Sequence, residues 1–298
     1  MNTAFIMIKR NVKIFFKDKG MFFTTLITPV ILLVLYVTFL GKIYKDNFIL
    51  NIPQGLDISE RIIDGLVGGQ LISSILAVCC ITVAFGSNFL MVQDKANGVI
   101  KDLRISPTPS YVFSLSYYAA ALISTLIICF AAALLCFSYV AFVGWYMSVA
   151  DVLLILLDVI LLVLFGMALS SIINFFLGTQ AQISAVGTIV SSGYGFICGA
   201  YMPLSSFGDG LRSVISFLPG TYGTALLRNH ALRGACQELL KSGVPSQSVE
   251  ALKDAIDCNI YIFGNKMPLL VMYIVLTAIV ILLIGAYVLI NSVSRKSK

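Results

Sequence analysis

The sequence predicts an all-α membrane protein of six transmembrane helices, with an N-terminal amphipathic helix in the membrane interface. A short charged helix joins spans two and three, and a re-entrant hairpin precedes span six. Three observations carry this. Hydrophobic side chains make up 59% of the chain and charged ones only 11%, against about 25% charged in an average soluble protein. Leu66 to Val92 and Ile105 to Ala150 carry no charge at all, and roughly 20 apolar residues suffice for a helix to cross a hydrocarbon core. These runs lack the two-residue alternation of a barrel, which leaves helices as the only structure lipid tolerates.

The segment 1–20 reads as a surface helix, since Lys9, Lys13 and Lys17 recur on one face and Phe5, Ile8, Val12 and Phe15 or Phe16 on another. Such a basic amphipathic helix lies in the interface with its lysines toward anionic headgroups. Gly20 lets the chain turn into span one, 22–40, where Pro29 frees a carbonyl and is expected to kink the helix. No small-x-small site closes that run, so a cleaved signal peptide is not expected. Span two covers 66–92. It opens on Leu66-Val-Gly-Gly-Gln70, which superficially resembles the signature loop of an ABC ATPase. Val67 stands where a phosphate-contacting serine would be, and no GxxxxGK[ST] loop occurs in the chain, so ATP hydrolysis by that route is excluded.

A charged island, 93–108, follows, running from Gln93 through Asp94, Lys95, Asn97, Gly98, Lys101, Asp102 and Arg104 to Ser106-Pro107. Too short to be a domain, it reads as a small helix that meets water or another protein. Span three is 112–142, span four 152–174 and span five 182–203, with breaks near Gly144-Trp145 and between Asn174 and Gln182. Asp158 is the lone acid within a predicted span; it is either a substrate or proton site or a structural hydrogen-bond partner. Span five contains Gly195-Phe-Ile-Cys-Gly199, a small-xxx-small pattern that lets helices approach closely. The segment 204–266 reads as a hairpin of two short helices, Leu211 to Leu218 and Tyr222 to Leu232, hinged at Pro219-Gly220, with a polar cap from Gln237 to Asp257. His230, the single histidine, is expected on the surface between Arg228 and Arg233. Span six is 267–292.

Lys and Arg in the short flanks set the orientation. The N-terminal tail, the island and the C-terminal Arg295, Lys296 and Lys298 all fall on one side of a six-span chain, so both termini are placed in the cytoplasm of a cell-membrane protein. The net charge of +6 reflects this bias and points to lipid headgroups, not to nucleic acid. Cys79, Cys80, Cys129, Cys136 and Cys198 lie in spans and read as packing residues. Cys236 and Cys258 fall in the outer segment, where a disulfide and two free thiols are both open readings. One histidine and no recurring carboxylate pair leave no metal cluster and no support for an intramembrane enzyme.

The layout resembles a permease subunit of the type 2 ABC-transporter export family over nearly the whole length. The most specific local likeness is the island, whose Gly98-Val99-Ile100, Lys101, Leu103 and Ser106-Pro107 align with that family's Gly-Thr-Leu, acid, leucine and Ser/Thr-Pro pattern. Asn97 and Lys101 stand where acids are common, and Val99 replaces the threonine. Met202-Pro-Leu and Phe217-Leu-Pro-Gly-Thr-Tyr222 to Arg228 are similar to the family's region after span five.

The resemblance implies that the island is a cytoplasmic coupling helix seated in a groove of a separate ATPase subunit. Val99, Ile100 and Leu103 would make the apolar contact, and Asp94, Lys95, Lys101, Asp102 and Arg104 the polar rim. It further implies two permease chains, identical or sister, and two ATPase copies that hold the ATP and magnesium, with no cofactor in this chain. Spans two and five would line the path, with Asn88, Asp158, Gly195 and Gly199 as candidate path residues, and the outer hairpins would gate it. The expected cargo is an amphipathic or hydrophobic compound such as a drug, an antimicrobial peptide or a lipid. Export of a polysaccharide or lipid-linked glycan is the alternative within this architecture. A six-span sensor or scaffold is the alternative outside it.

Overall fold

The computed structural model describes residues 2–50, 58–105 and 108–296, so Ser106 and Pro107 at the end of the island lie outside the described residues. The chain is an all-α, multi-pass membrane protein. Among the described residues, five helical segments are long and apolar enough to cross a bilayer: Phe22–Leu50, Glu60–Ala96, Tyr111–Val143, Val149–Phe176 and Leu269–Ile290.

Helix α1 (Asn2–Lys17) lies along α6 (Ser110–Val143). Its buried stripe is Met7, Asn11 and Phe15, at helical spacing, while Lys9, Lys13, Lys17 and also Phe5 are exposed. Of the expected apolar face, Phe15 packs on protein while Phe5 stays exposed. Helix α2 (Lys19–Leu35) passes through Pro29 without ending. The irregularity comes later, in a π turn at Tyr36–Leu40 that leads into α3 (Gly41–Leu50). There the Tyr36 hydroxyl donates to Ser74 Oγ at 2.8 Å, and its ring stacks on Tyr44 with centroids 5.7 Å apart. Single π turns of this kind form where a side-chain contact outweighs a regular ladder.

Helix α4 (Glu60–Ala96) is the axis of the molecule. Its membrane window is 89% buried, against 22% for the first span and 17% for the last, so α4 is surrounded by protein while those two face outward. Short α5 (Val99–Arg104) connects it to α6. Two helix starts are fixed by reciprocal capping, which satisfies orphan N–H groups: Ser148 with Asp151 opens α7 (Val149–Phe176), and Thr179 with Gln182 opens α8 (Gln180–Ile197).

Span five was expected over 182–203, but α8 ends at Ile197, and its Gln, Ser and Thr content leaves it outside the five apolar segments. At 1.5 Å per residue, its 18 residues span about 27 Å. Gly195 does not present an open helix face, because the Tyr201 ring of the following turn packs directly over it.

Helices α9 (Asp209–Ser216) and α10 (Pro219–Lys241) follow in the segment read as a hairpin, and Pro219 sits at the first helical turn, where its missing N–H costs nothing. Helix α10 runs well past Leu232 and packs against α4, α7 and α12 (Leu269–Lys296). Gly69 meets Ala231 and Leu232, Gly223 meets Leu162, and Gly234 meets the Tyr146 carbonyl. Gly69 and Gly234 let backbones touch, and Gly223 makes room for the Leu162 side chain. Leu162 lies 13 residues into α7, so the start of α10 reaches about 20 Å along the bundle. Helix α11 (Ser246–Ala255) and a ribbon of β1 (Tyr261–Ile262) and β2 (Asn265–Lys266) complete the cap. The ribbon was not expected. Its two-residue turn, Phe263-Gly264, has positive φ at both positions, as a type I′ hairpin requires.

Candidate functional site

The island is built by a change of helix. Asn97 ends α4 with its N–H bonded to Gln93 O at 2.9 Å, and Gly98 turns the chain at φ +82°. A side chain at Gly98 would meet nothing within 4 Å, so glycine is there for its backbone freedom alone. Along α5, Val99, Ile100 and Leu103 are half-buried, and Lys101 and Asp102 are exposed. Beyond them Ile105 is 85% exposed, a bare apolar side chain that the sequence reading did not single out.

Of the expected rim residues, Asp94 is turned inward, and Lys95 is exposed but bonds back toward the bundle. Asp94 is buried, and its Oδ2 accepts from Arg10 Nη1 at 3.2 Å and from the Tyr117 hydroxyl at 2.5 Å. Lys95 Nζ donates to the Leu177 carbonyl at 2.9 Å. The physical reason is helical phase: Asp94, in the last turn of α4, points at α1 and α6, whereas Lys95 is exposed and reaches back with its tip to the α7–α8 turn.

A cavity of ≈ 1090 Å³ opens between α2, α4 and α8. Hydroxyls from Thr24, Thr28, Thr82, Ser184, Thr188 and Ser191 share its wall with the rings of Phe85, Phe89, Phe196 and Tyr201. Among the described residues that line it, Asp18 is the one with an ionisable acidic or basic group other than a phenol. Gly86 lets α2 close against α4, since a Cβ there would collide with Thr25. Apart from Asp18, the chemistry offered is uncharged: hydrogen bonds on one side, apolar and aromatic surface on the other.

None of Asn88, Asp158, Gly195 and Gly199 lines that cavity. Asn88 is buried and donates to Ser170 Oγ at 3.0 Å and Ser171 Oγ at 2.8 Å, joining α4 to α7. Asp158 faces α10 and α12. Its Oδ2 lies 2.6 Å from His230 Nδ1, and its Oδ1 accepts from the Tyr273 hydroxyl. His230 is thus buried at 4% exposure, not on the surface, because α10 enters the bundle instead of lying over it.

Gly199 has φ +72° and offers its carbonyl to Arg228 Nη2. Arg228, 1% exposed, also pairs with Asp257 Oδ2 at 3.4 Å, which accepts from Leu204 N at 2.7 Å. Burial pushes the Asp257 carboxyl above the usual carboxylate range, and the Arg228 charge pulls against it.

Cys236 and Cys258 are buried free thiols in this structure. Burial raises Cys236 to about 11 and pushes Cys258 up as well, with the neighbouring Cys236 adding to the rise. Neither is therefore a ready thiolate at neutral pH.

The chain matches the family model described as ABC-2 type transporter over residues 3–231. No curated protein matches it.

Proposed function

We propose that this chain, which belongs to the ABC-2 type transporter family, is the permease subunit of an ATP-driven exporter for an amphipathic or hydrophobic compound. A transport subunit of that family implies a partner that binds ATP, and the chain itself carries no phosphate loop. The observation that carries the cargo reading is the ≈ 1090 Å³ cavity between α2, α4 and α8. Its wall pairs hydroxyls with rings and has no lysine or arginine, which suits a guest with one polar and one apolar side. Helix α8 turns an exposed, hydroxyl-bearing face outward. Small and hydroxyl-bearing residues are enriched where membrane helices meet one another, so a second permease chain, identical or sister, is the natural cover and makes the cavity one half of a shared path. The island, both termini and the α7–α8 turn then lie in the cytoplasm, and α9–α10 dips back from the outside. Six spans result when α8 is counted.

On this reading α5 seats in the ATPase subunit through Val99, Ile100, Leu103 and Ile105, two such subunits serving the two permeases. ATP-driven movement of the dock swings the small helix and, through it, the spans. ATP and magnesium are held by that partner. Replacing Gly98 through Leu103 by a Gly/Ser linker should leave the chain in the membrane but abolish co-purification of the ATPase subunit. Undiminished co-purification sinks the docking role.

One observation favours a second cargo. The rings of Phe85, Phe89 and Tyr201 beside serine and threonine hydroxyls are the grouping that stacks sugars, and the sequence alone did not bring them together. Cells lacking the chain separate the two: retention of amphipathic dyes supports the first cargo, and loss of a surface glycan with unchanged dye efflux supports the second.

A further inference from the structure

We infer that Asp94 and Lys95 form a transmission joint that delivers movement of α5 to the wall of the cavity. The inference rests on the docking role proposed for α5 but concerns residues that take no part in docking. Two donors converge on one oxygen of Asp94, Arg10 Nη1 from α1 at 3.2 Å and the Tyr117 hydroxyl from α6 at 2.5 Å. Arg10 is held in turn by its own bond to Asn11 Oδ1 at 2.8 Å. The Asp94 side chain is 11% exposed, so this is a sheltered junction of three helices and not a solvated surface pair, which would contribute little.

The next residue reaches the other way. Lys95 Nζ bonds Leu177 O at 2.9 Å, the carbonyl that closes α7. Two residues on, Thr179 caps α8 together with Gln182, and Ser184 and Thr188 of α8 stand in the cavity wall. From the joint to α5 the turn is tied by backbone bonds from Asn97 N to Gln93 O, Gly98 N to Lys95 O and Lys101 N to Gly98 O. A tilt of α5 therefore cannot be absorbed in a slack linker. It turns the end of α4, which α1 and α6 brace through Asp94, and Lys95 carries the displacement to the start of α8. The chemistry assigns different tasks to adjacent residues: Asp94 sets the fulcrum, and Lys95 the output.

All seven native cysteines are buried and Ser184 is exposed, so a Ser184→Cys reporter takes up maleimide selectively in the full chain. The test uses the chain purified from membranes with the ATPase subunit that accompanies it, comparing labelling before and after trapping with magnesium ATP and orthovanadate. Trapping should change the reporter rate about fivefold or more, and Asp94→Asn, Tyr117→Phe or Lys95→Met should cut that response below about twofold. The ATPase subunit should stay bound in all three, and Arg10→Lys should retain the response. A full response in Tyr117→Phe and Lys95→Met, two changes that leave the fold intact, overturns the joint. Loss of the ATPase subunit from Asp94→Asn also overturns it, since Asp94 would then belong to the dock. If no ATPase accompanies the unmodified chain, the docking role fails by itself. The joint is then judged by trypsin cleavage after Lys101 in nanodiscs, where Asp94→Asn should raise the rate about fivefold and an unchanged rate overturns it.

Discussion

Arg228 has one of the largest fully buried side chains in the molecule, and it carries a charge. Removing one partner of a buried ion pair typically costs about 3–5 kcal/mol, because the other charge is left stranded. Arg228→Ala should therefore lower the unfolding temperature in detergent clearly, and an unchanged transition would show that Asp257 is neutral or reaches water. Asp158 offers a graded version of the same test. Asn keeps one acceptor for Tyr273 but loses the charge beside His230, whereas Ala removes both contacts. Asp158→Ala should thus destabilise more than Asp158→Asn, as read by the fraction that stays monodisperse on heating, and equal loss would argue against the hydrogen-bonded arrangement. Cys236 adds to the rise at Cys258, and the sequence places both thiols in the outer segment, where a bridge is expected when the chain matures in an oxidising compartment. Alkylation after reduction should then add two labels that are missing without reductant, and equal labelling in both would refute it.

Helix α10 is the element in which sequence and structure diverge most. The sequence reads its start as the second arm of a re-entrant hairpin, but nothing in its composition says that it runs on to Lys241, or that Gly69 of α4 and its own Gly223 and Gly234 clear the space for its contacts. A Cβ at Gly234 would sit inside the Tyr146 carbonyl, a backbone atom that cannot swing aside. Gly234→Ala is expected to cost about 1–3 kcal/mol or more by forced displacement, and a variant that melts like the parent would place α10 elsewhere. The cap beyond α10 has its own sensitivity. Lys266 beside Glu250 holds that carboxyl below its ordinary range, and Lys253 assists. A carboxylate whose folded value is depressed stabilises above its unfolded range and loses that contribution as the pH falls through its folded value. Protection of α11 amides against hydrogen exchange, corrected for the pH dependence of the intrinsic rate, should accordingly fall on acidification, modestly, since the pair is exposed.

Across the whole molecule, hydropathy made the long helices and the island legible, because each depends only on the run of residues along the chain. The helix 110–143, for example, needs no partner to be recognised. What it left hidden is rotation. Asn88 and Asp158 stood out as polar residues in apolar runs, yet both turn inward to partners on α7, α10 and α12, while the cavity is lined by inconspicuous threonines and serines of α2 and α8. A six-span count was equally a matter of composition: α8 packs beside α4 as a helix, but its hydroxyls dilute the apolar signal. Asp94 and Lys95 were read as part of one charged stretch, and only helical phase separates them from Lys101 and Asp102.

The Asp158 junction has a consequence in time. Its partners lie 72 and 115 positions downstream, and chains grow at about 5–20 residues per second. For roughly 6–23 s of synthesis, α7 therefore exists with an acid in an apolar helix before Tyr273 has been made. A nascent chain arrested short of Tyr273 should hold α7 shallower than the finished protein does, as glycosylation-distance mapping of its ends would reveal. Equal depth in both would mean that α7 settles without help from the helices that arrive after it.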